Sequence, residues 1–236
     1  IAAALEEKII TANTSILSVG GFRVGRWFFK DWKAGGHGST NLLKAVAWSV
    51  NTFFYYIGGG YGDFVGLGLD RMAQYFSKFN IGSTTGIDLP GESSGFIPTR
   101  EWKQKVKGEP WYIGDTYNLS IGQGDLLVTP LQVAVWTAAV ANSGNLVQPY
   151  IGAELKSATE KSVSLKPPIK AKNIISSESA YWTRQAAREC VTTGSCYLLR
   201  NLPFASGGKT GTAQWNSTKN THGWFTAFAP FDNPQI

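Results

Sequence analysis

Residues 207–231 read GGKTGTAQWNSTKNTHGWFTAFAPF. Two runs rich in β-branched and aromatic residues, GGKTGTAQW and HGWFTAFAPF, flank a polar stretch, which predicts an antiparallel hairpin late in the chain. Ahead of it the strong periods are helical. NLLKAVAWSVNTFFYYI (41–57) carries apolar residues at helical spacing after the capping candidates Ser39 to Asn41, and stops at Gly58-Gly59-Gly60. LDRMAQYFSKFNIG (69–82) reads as a second helix, and STTGIDLPGESSGFIP (83–98) as a long loop rich in turn formers. TPLQVAVWTAAVANSGN has Thr129 as cap, Pro130 at the first helical position and Asn142-Ser143-Gly144 as stop, and SESAYWTRQAARECV (177–191) reads as a further helix. Helices followed by a late hairpin indicate an α+β fold with segregated layers.

The 236 residues are 43% hydrophobic and 16% charged, enough for one globular domain or a large piece of one. No run of about 18 apolar residues is present. The first ten residues, IAAALEEKII, read as the middle of a helix without a cap, and the last stop just after a strand-like run. The expectation is a piece of a longer protein, so the lack of a targeting segment says nothing about location.

The net charge of +6 raises the question of nucleic acid. The basic residues are scattered, with the densest group, Arg100, Lys103, Lys105 and Lys107, in TREWKQKVKGEP. No helix carries a basic stripe and no RNP-like motif appears, which argues against nucleic acid; an envelope surface or anionic polymer suits such mild basicity equally. Cys190 and Cys196 are the only cysteines. They are too few for a zinc framework, and a local disulfide and two free thiols both remain open.

Gly208-Lys209-Thr210 matches the tail of a phosphate-binding loop, but the glycine such a loop needs five residues earlier is Pro203. The phosphate reading fails on spacing. Lys209 still offers a charge, Thr210 and Thr212 offer hydroxyls, and the glycines permit close backbone approach. Ser49 and Asn51, in WSVNT, place a hydroxyl and an amide near the end of the 41–57 helix; a polar pair at a fraying helix end is the plainer reading.

Taken together, Ser49-Val50-Asn51 and Lys209-Thr210-Gly211 resemble two of the three signature motifs of penicillin-binding proteins and serine β-lactamases. The flanks sharpen this. FKDWKAGGHG, NTFFY, TGIDLPGESSG, PTREWK, GEPWYIGDTYNLSIGQGDLLVTPLQ and GGKTGTAQW are similar to the transpeptidase domain of class B penicillin-binding proteins of the penicillin-binding protein 2, or elongation, type. The similarity runs in order along residues 1–236.

The third family motif, Ser-x-x-Lys, occurs once, at Ser206–Lys209, where its lysine is already that of Lys-Thr-Gly and two glycines disfavour a helical turn. In the family that motif's helix runs directly into a segment like IAAALEEKII, which puts the nucleophilic serine a few residues before Ile1. The resemblance implies a five-stranded antiparallel sheet with helices and a helical subdomain, of which this chain holds part; the membrane anchor, the pedestal domain and the last strand lie outside it. It also implies a D,D-transpeptidase that cross-links peptidoglycan stem peptides ending in D-Ala-D-Ala and is acylated by β-lactams. Ser49 is then the proton shuttle, Asn51 a hydrogen-bonding partner of the substrate amide, and Lys209 a source of positive potential. Thr210, Gly211 and Thr212 become the carboxylate-binding strand, with Thr212 N–H as half of an oxyanion hole. No cofactor is implied; the implied partner is a membrane glycosyltransferase of the elongation machinery, with the domain on the outer side of the cytoplasmic membrane. Strand alternation argues against one detail, since it puts Lys209 and Thr210 on opposite faces.

Asp31 and His37 could be half of a zinc site, as in some relatives that complete it with a cysteine, but no cysteine lies nearby and a structural loop is the plainer reading. His222 reads as a turn residue. A β-lactam sensor, or a carboxypeptidase or β-lactamase of the same fold, are the alternatives. The GEPWYIGDTYNLSIGQG block argues against a sensor, and nine tryptophans without a repeat give little support to a carbohydrate-binding module.

Overall fold

The computed structural model describes residues 1–156, 162–166, 168–214 and 220–236. The chain opens with helix α1 (Ala2–Glu6) and four short strands, β1 (Ser15–Ser18), β2 (Gly21–Val24), β3 (Trp27–Lys30) and β4 (Gly38–Asn41). Helices α2 (Leu42–Ala47), α3 (Asn51–Gly59), α4 (Gly68–Lys78), α5 (Arg100–Lys107), α6 (Ile113–Ser120) and α7 (Pro130–Ala141) follow. The short strands β5 (Leu146–Val147), β6 (Glu154–Leu155), β7 (Val163–Ser164) and β8 (Ile169–Ala171) lead to the long α8 (Ser177–Thr192). A 3₁₀ turn, Tyr197–Asn201, precedes the closing hairpin of β9 (Gly207–Ala213) and β10 (His222–Phe228).

Local chemistry sets the helix starts. Each first turn leaves N–H groups without intrahelical partners, and a side chain takes one of them in α2 (Asn41 Oδ1 from Lys44 N, 3.0 Å), α5 (Thr99 from Trp102, 3.1 Å), α7 (Thr129 from Gln132, 3.1 Å) and α8 (Ser176 from Ser179, 3.2 Å). In α7 the Gln132 carboxamide reaches back to Thr129 N–H at 2.9 Å, closing a capping box. Its Nε2 also donates to the carbonyls of Ser83 (2.9 Å) and Ser94 (2.8 Å), so one buried glutamine ties the 83–98 loop to α7. α5 ends at Gly108, whose left-handed φ of 70° suits glycine.

The structure departs from the sequence reading in three places. α1 ends at Glu6, short of the ten residues expected. Strands occur early: β1 pairs with β4 and β2 with β3, both antiparallel. At four residues each they give only two side chains per face, too few for a period of two to stand out. Third, the 41–57 helix is two helices, α2 and α3, separated at Trp48–Val50.

The core gathers Leu42, Val46, Val50, Phe53 and Ile57 from the α2–α3 segment against Leu69 and Met72 of α4 and Leu119 of α6. Phe22, Phe29, Tyr55 and Tyr117 form an aromatic cluster that seats the β2–β3 hairpin on α3 and α6. On the other side α8 packs against both α2 and β9, and α7 packs on β10, where the Thr137 and Thr226 hydroxyls meet at 2.8 Å. The basic helix α5 is largely matched by carboxylates: Arg100 pairs with Asp70, Lys103 with Asp115 (2.5 Å) and Lys107 with Asp125 (2.6 Å). A stripe free to bind a polyanion is therefore not what α5 presents.

The end of α8 is closed by a disulfide between Cys190 and Cys196, whose Cα atoms lie 5.1 Å apart and whose side chains are buried. The loop it closes lies directly on α2: Ser195 N–H donates to Ala47 O at 2.9 Å, and a Cβ at Gly194 would fall 2.2 Å from that same oxygen. Closing a loop this short removes unfolded-state entropy worth about 2 kcal/mol. The C190A/C196A double variant is expected to lose about that much unfolding free energy, measured by urea denaturation.

Candidate active site

The site begins with a buried carboxylate. Asp31 follows β3 and is 5% exposed, so its oxygens need donors. Oδ2 accepts from Ser18 Oγ (3.0 Å), Thr52 Oγ1 (2.9 Å) and Thr52 N (3.3 Å), and Oδ1 from Asn51 N (3.2 Å) and Trp32 N (3.0 Å). Helix α3 has no side-chain cap from its own N-cap residue. Asp31 serves as that cap from twenty positions away, and its charge sits at the positive end of the helix dipole. Next to it, Trp32 Nε1 donates to Trp48 O at 2.8 Å. The two adjacent residues hold the chain on both sides of Ser49. Between these ties Ser49 adopts φ 52°, a left-handed conformation uncommon outside glycine, and the helix breaks there. Ser49 is thus presented from the break, and Asn51 is the first residue of α3; neither sits at a fraying C-terminal end. Asn51 Nδ2 donates weakly to Lys30 O at 3.4 Å.

Lys209 arrives from β9. Its Nζ donates to Ser49 Oγ, a contact across 160 positions, and to Thr210 O at 2.6 Å. The side chain folds over the strand edge to reach both acceptors, which removes the objection from strand alternation: a long lysine need not stay on the face from which it departs. Burial pushes its pKa from 10.5 down to about 8. Thr210, which lines the same cavity as Lys209, meets Ser195 Oγ of the disulfide loop through its Oγ1 at 2.6 Å. Gly211 lies over Trp224, where a Cβ would come within 3.2 Å of Trp224 Cβ. Thr212 is exposed, and its carbonyl accepts Gln123 Nε2 at 2.9 Å.

Beside this edge lies a cavity of about 650 Å³ lined by Gly122, Gln123, Trp136, Lys209, Thr212 and Trp224. Lys209 links it to Ser49. His222, read from the sequence as a turn residue, is the first residue of β10 and also borders the cavity. Ser206, whose hydroxyl would be the serine of the lone Ser-x-x-Lys match, is 2% exposed.

The chain matches the penicillin-binding protein transpeptidase domain over residues 1–236. The chain belongs to that family. It is 34% identical to the peptidoglycan D,D-transpeptidase MrdA of Haemophilus influenzae, covering 99% of this chain and 38% of the relative. Among solved structures it is similar to penicillin-binding protein 2 in its complex with MreC from Helicobacter pylori, with TM-score 0.82, 32% identity, and coverage of 99% of this chain and 42% of that one. Penicillin-binding protein 2 of Pseudomonas aeruginosa, in complex with WCK 5153, gives TM-score 0.81 and 28% identity over 99% of this chain and 52% of that one. The chain spans about two fifths of the length of the curated relative it matches. The expected α+β transpeptidase fold is the one observed.

Of the residues singled out in the sequence, Ser49 and Lys209 meet, Asn51 starts the adjoining helix with its amide on Lys30 O, and Thr210 and Thr212 border the same cavity as Lys209. The Thr210 hydroxyl is engaged on the disulfide side. Asp31 and His37 approach to 3.8 Å, but the carboxylate is already met by backbone and hydroxyl donors. Among the described residues no cluster of three or more metal-ligating side chains exists, so this pair does not fit the zinc set that four ligands would require. Desolvation lowers the His37 pKa and favours a neutral ring. Sequence reasoning assigned no role to Trp32, Gln123 or Ser195. Gln123 stood between two glycines in the quoted family block, and that spacing was the one available signal.

Two outcomes follow from this geometry. Asp31→Ala leaves five donors without their acceptor and is expected to cost at least about 3 kcal/mol in denaturant unfolding. For Lys209 the folded pKa lies below the unfolded one, so between pH 8 and 10.5 the unfolded chain binds more protons. Unfolding free energy should therefore rise with pH across that window, and Lys209→Met should flatten the rise.

Proposed function

We propose that the intact protein containing this chain is a serine D,D-transpeptidase that cross-links peptidoglycan stem peptides ending in D-Ala-D-Ala during cell-wall elongation, and that β-lactams acylate the same serine. The observation that carries this reading is the Lys209 ammonium on the Ser49 hydroxyl. The nucleophile belongs to a Ser-x-x-Lys helix leading into α1, and residues 1–236 are part of one transpeptidase domain. Ser206 is a poor substitute, being buried, with its own potential partner Lys209 bonded elsewhere.

In this mechanism the serine gives its proton to the lysine of its own Ser-x-x-Lys motif as its oxygen forms a bond to the penultimate D-Ala carbonyl carbon. The C–N bond to the terminal D-Ala breaks, and that amine leaves with a proton. Lys209 donates to Ser49 Oγ, which leaves the Ser49 proton free to point toward the departing nitrogen. Asn51 bonds the substrate amide after giving up its 3.4 Å contact with Lys30 O. A second stem-peptide amine then attacks the ester, forming the cross-link and returning the serine. Thr212 N–H lies on the strand edge from which its carbonyl also points, a suitable place for half of the oxyanion hole. One such donor contributes on the order of 10²- to 10³-fold in rate. The terminal carboxylate lies against Lys209 and the Thr212 hydroxyl. Thr210 reaches it only after its hydroxyl leaves Ser195.

The disulfide is consistent with an oxidising compartment, and we place the domain on the outer face of the cytoplasmic membrane, anchored by segments beyond this chain. Among the described residues no helix is long and apolar enough to cross a membrane. The partners we assign are a membrane glycosyltransferase and, by analogy with the Helicobacter relative, an MreC-like scaffold.

Incubating the intact protein with a donor peptide and an acceptor amine should give cross-linked product in excess of hydrolysed donor, and a fluorescent penicillin should label it covalently. Residues 1–236 alone should take no stable label. Hydrolysis without cross-linking overturns the transpeptidase assignment, and labelling of the isolated chain overturns the exclusion of Ser206.

A further inference from the structure

Gln123 makes contacts that ordinarily belong to a neighbouring strand. Among the described residues β9 has a strand, β10, on one side only. Successive residues of such a strand turn their N–H and C=O groups alternately toward the partner and toward the open edge. Thr210 O takes Lys209 Nζ, Thr212 O takes Gln123 Nε2 at 2.9 Å, and Gln214 N–H approaches Gln123 Oε1 at 3.4 Å. Residues 210, 212 and 214 therefore direct their backbone groups to the open side. The Gln123 carboxamide is bonded there as a one-residue strand.

We propose that Gln123 is a side-chain plug in the donor subsite, occupying the Thr212 carbonyl until the donor peptide displaces it; this rests on the transpeptidase reading above. In an antiparallel pair, a residue that places its carbonyl on an N–H of the opposite strand places its own N–H on the carbonyl of that same residue. A donor whose scissile carbonyl sits on Thr212 N–H must therefore put the N–H of the same residue on Thr212 O. Gln123 Nε2 already occupies that acceptor. The carboxamide supplies a hydrogen bond to the empty edge and withdraws when a backbone offers the same bond. Gly122 and Gly124, at φ 74° and 79°, flank it and give the turn room to rotate, and a Cβ at Gly122 would meet nothing within 4 Å. The adjoining cavity offers the displaced side chain a place to go.

Plug and donor compete, so removing the plug accelerates acylation. Q123A, and Q123M, which keeps the bulk and loses the amide, are made in the intact protein. The second-order rate of acylation by a fluorescent penicillin is measured, since its acylamido N–H stands beside the ring carbonyl as the donor's N–H does. The expected result is a gain of about 3- to 10-fold in both variants, the worth of one neutral hydrogen bond. Damage to the fold does not produce a gain. A β-lactam carrying no acylamido N–H should show no such gain. Variants that acylate at the wild-type rate or slower overturn the plug alone, as does an equal gain with both classes of β-lactam. Wild-type protein that takes no label overturns the transpeptidase reading and the plug with it.

Discussion

The molecule is organised around a carboxylate that water does not reach. Once Asp31 is buried its charge requires donors, and it collects them from β1, from its own neighbour and from the first turn of α3. Every donor is fixed by the same point. The start of α3 cannot drift relative to the β2–β3 hairpin, and Trp32 fixes Trp48 in the same frame. Ser49 lies between two anchored residues and takes a backbone conformation that a free helix end would not choose. Burial leads to capping, capping to a helix break, and the break to the display of one hydroxyl.

The opposing wall follows a different logic. A strand with an open edge is a hazard in most proteins, yet here its exposed groups are those a peptide backbone recognises. Lys209 curls over that edge because it has the length to do so, and the loss of water around its ammonium weakens its hold on the proton. The disulfide loop holds Thr210 through Ser195.

Much of this was legible in the residues. The hairpin of β9 and β10 and the boundaries of α7 and α8 were readable because their causes are local: Thr129 and Pro130 begin α7, and the turn formers from Asn142 end it. The break at Ser49 was not, because its cause, Asp31, lies outside the helical window and leaves no mark on the period. The early strands were too short to show alternation. The encounter of Ser49 with Lys209 was accessible only through resemblance to a family, since no local pattern links positions 160 apart. Asp31 was read as a structural loop residue, which it is; that the loop shapes the site required coordinates.

The contact at Gly194 has a broader meaning. The two walls of the crevice descend from α2 and from the sheet behind α8, and between these supports lies main chain against main chain, with no side chain at Gly194 to compress. Backbone atoms already in contact cannot be brought closer by exchanging side chains, so this seam limits how near the disulfide loop and α2 can approach.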